Sequence, residues 1–352
     1  MRAVLGIDAA WRPTQPSGVA LAVELTNGWR LIAAAASYQR FHAMADRRQP
    51  AEPRPSGSLP DAPALLASAT ILCGRPVDLI AVDMPLALTP INARRVADDA
   101  VSKAYGGRKC GTHTPSALRP GRISDALRES FERAGYPLGT DRLALPGVIE
   151  VYPHPALVEL LGASKRLPYK TSKVGNYWPQ ASLQEGRAFL YRQWSEIAAR
   201  LECEIAGVAA TLPRLELNAS PWEVKAYEDT LDAIVCAWVA ICALEGGAKP
   251  FGNRDSAIWI PRVFPRARDS SRCLRGAPRK TVSDQALLCP EGTECDWRFF
   301  LPERVGPRRH GGVRAHWAEA AEPDTITGRL ATSESTLKAA LAFQGRLMIS
   351  RN

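Results

Sequence analysis

Short apolar runs at the start of the chain have the pattern of β-strands. They are "AVLGID" (3–8), "SGVALAVEL" (17–25) and "GWRLIAAAAS" (28–37), rich in small and β-branched residues. The second and third runs are separated by a turn that contains Asn27-Gly28, a pair typical of tight hairpins. These segments predict an antiparallel three-strand meander.

Later in the chain, strand-like runs alternate with helical segments. Strands are predicted within 77–85, 147–155 and 256–262, and helices over 61–74, about 91–105, about 122–135, 155–162, 182–203 and 220–247. The last helix begins with Ser220, Pro221 and Glu223, which form a capping-box pattern. Strands alternating with helices predict an α/β fold: a mixed sheet in which the meander joins parallel strands, flanked by helices.

The pattern weakens at the C-terminal end. From about residue 266 the chain is basic, Gly-rich and without clear periodicity. We therefore predict one domain over 1–265 and a basic, partly disordered extension over 266–352. The extension either binds nucleic acid through its charge or has no specific function.

Composition narrows the range of partners and compartments. The net charge of +9 favours polyanions such as nucleic acid as partners, although a generally Arg-rich composition explains it equally well. The eight cysteines form no CxxC pair, so a structural zinc site is not expected, and we infer a reducing cytoplasm. No apolar stretch approaches the roughly 20 residues that span a bilayer, so no membrane partner is expected.

Acidic residues stand at strand positions and within the strongest helix. Each has a plain structural explanation, as a strand-end turn residue or as part of a solvated helix surface. Together they suggest a carboxylate cluster, because buried carboxylates are costly unless cations neutralise them. Hard oxygen ligands suit Mg²⁺ or Mn²⁺, and such ions promote phosphodiester cleavage. The candidate catalytic residues are Asp8, Asp83, Glu150, Asp229 and Asp232.

Basic and polar residues close to these acids are candidates for phosphate contact. The Gly-rich loop "GGRKCGTHTPS" (106–116) resembles loops that approach phosphate closely, but it lacks P-loop spacing. The spacing of Arg95 and Asp98 favours a surface ion pair over a substrate contact. The candidate substrate-binding residues are Arg95, Lys109, Thr112, His113 and Lys170.

Two further residues have more than one interpretation. His154, which lies between two prolines, is either a rigid structural corner or a catalytic group. Arg166 is either a phosphate contact or part of an ordinary solvated patch. The residues alone leave both alternatives open.

The motifs in their order along the chain resemble the DUF429 family over roughly residues 3–262. They are "GIDAAW…SGVALA", "AVDMPL", "GTHTPS", "EVYPHPAL", "LPYK" and "DTLDAIVCAW". Members of this family are commonly described as predicted nucleases with a ribonuclease H-like fold. The resemblance implies that fold and, as leading metal ligands, Asp8, Asp83 and Asp232, with Glu150 and Asp229 next.

The expected function is therefore a metal-dependent nuclease that uses Mg²⁺ or Mn²⁺ to hydrolyse nucleic acid. One alternative is an ATP-dependent phosphotransferase of the actin and sugar-kinase superfamily, which shares the ribonuclease H-like core. A second core and a Gly-rich phosphate hairpin are not evident in the sequence. The other alternative is a non-catalytic protein that binds nucleic acid through its basic extension.

Overall fold

The computed structural model describes residues 1–49 and 52–262, and the predicted extension 266–352 lies outside them. The strands are β1 (Ala3–Asp8), β2 (Gly18–Leu25), β3 (Gly28–Ala35), β4 (Leu79–Val82), β5 (Gly147–Val151), β6 (Ile205–Ala206), β7 (Ala248–Gly252) and β8 (Ala257–Pro261). The α-helices are α1 (Tyr38–Ala45), α2 (Ala62–Cys73), α3 (Val96–Tyr105), α4 (Arg122–Arg133), α5 (Pro153–Leu161), α6 (Val174–Tyr177), α7 (Leu183–Glu204), α8 (Val208–Thr211) and α9 (Pro221–Leu244).

The strands form one mixed sheet in the order β6-β3-β2-β1-β4-β5-β8-β7. The meander β1–β3 is antiparallel. The turn between β2 and β3 ends at Gly28, whose φ of 111° favours glycine. Strands β4, β5 and β8 continue parallel to β1. The prediction of an antiparallel meander joined to parallel strands and flanked by helices is therefore confirmed.

Alternation along the central strands sends side chains into two apolar layers. Val4, Ala20 and Ala81 face the layer that contains α5, α7 and α9. Ile7 and Val82 face the opposite layer, which is built from α1, α2 and α4. Period-two alternation thus produces a helix–sheet–helix sandwich in which the central strands are covered on both faces.

Helix α9 lies unusually close to β1 and β2 because both strands present glycine to it. A Cβ atom added at Gly6 would lie 2.2 Å from the carbonyl oxygen of Ala233. A Cβ atom at Gly18 would lie 2.0 Å from the carbonyl oxygen of Asp229. Since Gly18 pairs with Asp8 in the sheet, this close approach brings the acidic turns of α9 to the end of β1. The capping box at Ser220 forms as predicted and fixes where the helix begins.

The structure differs from the sequence prediction at short elements and at some boundaries. Helices α1, α6 and α8 and strands β6 and β7 were not predicted. Strand β7 contains Pro250, a residue typical of turns that is tolerated at the sheet edge where β7 lies. The strand predicted over 147–155 ends at Val151, and α5 begins at Pro153, so His154 stands in the first turn of a helix. Among the described residues, no helix has the length and apolar content that crossing a membrane requires.

Candidate functional site

Asp8 and Asp83 lie side by side at the carboxyl ends of two parallel strands. Ile7 pairs with Val82 in the sheet, so the residues that follow each of them are neighbours on strands about 5 Å apart. Both side chains are half-buried and face the same cleft. Ligand sites in open α/β sheets form at this edge of the strands.

The surroundings disfavour negative charge on both carboxylates. Burial, followed by repulsion from Asp229, raises the pKa of Asp8 to about 7. Burial and the charge of Asp8 raise the pKa of Asp83 well above its ordinary value. No hydrogen bond or ion pair reaches either carboxylate within residues 1–49 and 52–262. The pair is therefore short of positive charge.

The acids of α9 differ because lysines already neutralise them. Lys225 contacts Asp229 and donates to Glu228 at 3.0 Å. Burial raises the pKa of Glu228, but Lys170 and Lys225 outweigh that effect and lower it to about 2. Burial raises the pKa of Asp229 to about 6, in spite of Lys225.

Asp232 is fully buried beneath Lys170, whose ammonium group bonds to one of its oxygens. The other oxygen accepts a hydrogen bond of 3.0 Å from the Tyr169 hydroxyl. Lys170, predicted to bind substrate, therefore lies in the cleft wall as an internal cation of the acidic cluster. Burial remains the largest influence on Asp232 and raises its pKa to about 6.

Glu150, a predicted catalytic acid, lies outside the cleft. It pairs with Val82 rather than with Asp83, so alternation turns its side chain to the opposite face of the sheet. There its carboxylate accepts from the backbone amide of Leu86 at 2.7 Å and from Arg95 at 2.6 and 2.7 Å. Its contacts make it an anchor for the loop that follows Asp83.

Arg95 also has a structural role: it forms the predicted ion pair with Asp98, but the pair is buried and not at the surface. Arg95 is 7% exposed and Asp98 is 1% exposed. The guanidinium donates to Asp98, to Glu150 and to the carbonyl oxygen of Leu86. A buried cation with these partners has no donor left for a substrate, so its assignment as a substrate-binding residue is corrected.

The Gly-rich loop contributes only part of what was predicted. His113 is exposed and lines the cleft, as does Thr114. Thr112 donates to the carbonyl oxygen of Asp98 at 3.1 Å, and Lys109 is an exposed residue with a φ of 61°. Neither of these two lines the cleft.

The cleft has a volume of about 690 Å³ and an acidic floor between basic walls. Trp11 is half-buried in its wall, with the Arg119 guanidinium 5.4 Å from the ring centre. The basic residues that line it are Arg54, Arg119, Arg166, Lys170, Lys173 and Lys225. Asp229 lines the floor beside Asp8 and Asp83, as predicted from the sequence.

Sequence reasoning overlooked several of these residues. Lys225 stands four residues before Asp229, a spacing that signals a helical ion pair. Arg54 and Arg119 come from loops distant in sequence, and nothing in the local pattern marks them.

The donor set fits a divalent cation at Asp8 and Asp83 only. In the part of the chain that the structure describes, no group of three or more His, Cys, Asp or Glu side chains is arranged to hold a metal ion. Asp232, the predicted third ligand, already has both oxygens occupied by Tyr169 and Lys170. The two unpaired oxygen-donor carboxylates nevertheless match the chemistry that Mg²⁺ or Mn²⁺ prefers.

The fold and the cleft define a mixed α/β protein with a carboxylate- and lysine-lined site at the carboxyl edge of its sheet. The chain belongs to the family described as "Protein of unknown function (DUF429)", whose sequence profile matches residues 6–257. Comparisons with curated proteins and with solved structures gave no match.

Proposed function

We propose that the protein is a metal-dependent nuclease that hydrolyses phosphodiester bonds of nucleic acid in this cleft. The observation that carries the proposal is the adjacent Asp8–Asp83 pair, which no hydrogen bond or ion pair reaches among the described residues, and whose pKa values stay raised although Lys170 acts in the opposite direction. Mg²⁺ or Mn²⁺ would be the cofactor, and the cytoplasmic location expected from the cysteines belongs to the same proposal.

The surroundings of the pair support a polyanionic substrate. Six basic side chains line the walls around the acidic floor, which suits a chain of phosphates. Trp11 and Tyr152 add aromatic surface on which bases stack. A divalent ion supplies charge neutralisation at phosphate and lowers the pKa of water.

The chain's own residues have distinct roles in this proposal. Asp8 and Asp83 hold the cation, and their fixed positions at strand ends keep them together. Lys170 and Lys225 reduce the excess negative charge of the α9 acids, so that a phosphate is able to approach. Asp229, with a pKa of about 6, is suited to hold or release a proton near neutral pH.

The test is a cleavage assay with Mg²⁺ or Mn²⁺ on single- and double-stranded DNA, RNA and a hybrid. We expect the wild type to cut at least one of these, and Asp8→Asn and Asp83→Asn to lose at least about a hundredfold in rate because cation binding fails. Asp99→Asn, the same change at an exposed position on α3 outside the cleft, serves as the control. A wild type that cuts nothing, or that cuts no faster than Asp8→Asn, contradicts the proposal.

A further inference from the structure

Two buried polar atoms in the cleft wall have no hydrogen-bond partner within the described residues. They are Nδ1 of His154 and Nε of Arg166. His154 is only 6% exposed, yet both residues line the cleft. Buried polar atoms in folded proteins are nearly always bonded, because leaving one unsatisfied is costly. The position of these two atoms in the cleft wall therefore indicates a ligand that accepts their hydrogen bonds.

The charge of Arg166 is also uncompensated. The two lysines of the acidic cluster each contact carboxylates, whereas no ion pair reaches Arg166 in the part of the chain described. Its backbone amide donates to the carbonyl oxygen of Arg108 at 2.8 Å, which fixes where the side chain begins. The guanidinium thus remains a positioned cation at the cleft.

The ring of His154 is held in place by aromatic contacts. Tyr152 and Tyr169 each meet it edge to face, with ring centres 5.3 Å away. Burial lowers the pKa of His154 well below its ordinary value, and Lys170, Arg166 and His113 lower it further. The imidazole is therefore neutral, and every charged group that influences it is basic.

A positive field, an unpaired guanidinium and a neutral imidazole make an anion site. Arg presents forked donors that match phosphate oxygens, and a neutral His supplies one further N–H donor. On the nearby floor, Lys170 and Lys225 neutralise the acids of α9, and the remaining carboxylates, Asp8 and Asp83, are those proposed to hold the cation.

We propose that Arg166 and His154 form a phosphate subsite, which binds the phosphodiester group next to the one cleaved at Asp8 and Asp83. This inference rests on the proposed nuclease function and deepens it. It assigns single-stranded nucleic acid as the substrate class, with a phosphate at Arg166 and a base near Tyr152 on the same wall.

The test measures binding without catalysis, by fluorescence anisotropy of a labelled single-stranded oligonucleotide in EDTA. We expect Arg166→Gln to weaken affinity roughly tenfold or more and to reduce the slope of log K against log salt by about 0.7, because one phosphate contact is lost. His154→Gln weakens affinity but leaves the slope unchanged, because the imidazole carries no charge. Arg30→Gln, an equal charge change at an exposed position of β3 outside the cleft, binds like the wild type.

Other outcomes would contradict the proposed subsite, and they distinguish its failure from failure of the proposed nuclease function. If Arg166→Gln binds like the wild type, or no more weakly than Arg30→Gln, the subsite is wrong, while metal-dependent cleavage by the wild type would leave the nuclease proposal standing. Inorganic phosphate is the second probe, in a thermal-shift assay. If phosphate stabilises the wild type through Arg166 but the oligonucleotide does not bind, the ligand is a small phosphorylated molecule, and the inference is overturned.

Discussion

Asp8 and Asp83 are held together at a cost to stability. Each carboxylate loses hydration in the cleft and repels the other when both are charged. The lysines that neutralise α9 make their close contacts with Glu228, Asp229 and Asp232 instead. A pair kept in this state is typical of functional sites, where stability is lower than the fold alone would permit.

The pH dependence of unfolding tests this interpretation. Asp8 has a pKa of about 7 in the folded protein, above its value in the unfolded chain, so stability falls as pH rises from about 4 to 7. The asparagine side chain of the Asp8→Asn variant cannot ionise, so the variant does not lose this stability. Without divalent ions, the variant should be more stable than the wild type at pH 8 by on the order of 2–4 kcal/mol, and equal to it at pH 4.

Urea unfolding in EDTA at the two pH values measures the difference. Asp99→Asn, whose wild-type carboxylate is exposed, should differ from the wild type by less than about 0.5 kcal/mol at both. A variant Asp8→Asn that is less stable than the wild type at pH 8 would show that the Asp8 carboxylate is favourably paired.

Among the secondary-structure elements, α9 determines the geometry of the site. The glycines of β1 and β2 that face it leave no space between strand and helix backbone. Any side chain there would displace the turns that carry Asp229 and Asp232. The distance from these acids to the end of β1 is therefore set by the sheet.

Gly18→Ala should separate these elements. Its Cβ would overlap the backbone of Asp229, so we expect a loss of at least about 1–3 kcal/mol in unfolding free energy, together with weaker cation binding. Gly106→Ala is the matched control, because a Cβ there meets nothing within 4 Å and its φ of −60° suits alanine. Thermal unfolding and calorimetric Mn²⁺ titration give the two readouts, and a stable Gly18→Ala with wild-type Mn²⁺ affinity would contradict the argument.

The central elements were predictable because their patterns are local. Apolar runs that end in Asp8 and Asp83, and an apolar helix that carries Asp229 and Asp232, are visible in the sequence itself. The side on which Glu150 faces depends on its register with Val82, which no local pattern encodes. The burial of Arg95 and the pairing of Lys170 with Asp232 likewise depend on contacts between distant segments.

For the whole molecule, the predicted division at residue 265 remains a prediction. The family match ends at residue 257, close to that boundary. The basic residues of 266–352 and those of the cleft offer separate means of attracting a polyanion. Cleavage and overall affinity are thus expected to depend on different parts of the chain.

Deletion of 266–352 tests this separation. We expect the truncated protein to bind nucleic acid more weakly at low salt, because fewer counterions are released, and to retain cleavage that depends on Asp8. Anisotropy at several salt concentrations and the cleavage assay measure the two effects. If deletion abolishes binding while Asp8→Asn leaves it intact, and neither the wild type nor the truncated protein cuts, the extension alone accounts for the interaction and the non-catalytic alternative is correct.

The contact of α9 with Gly6 and Gly18 also affects how the cleft responds to a ligand. Carboxylates on flexible loops move apart when no ligand is bound, and they must be brought together again each time a ligand binds. Here the backbone of a buried helix rests directly on two strands, so the acids of α9 and Asp8 separate only if the core opens. The acids are therefore arranged during folding, and the cation of the proposed function would meet a site that is already assembled.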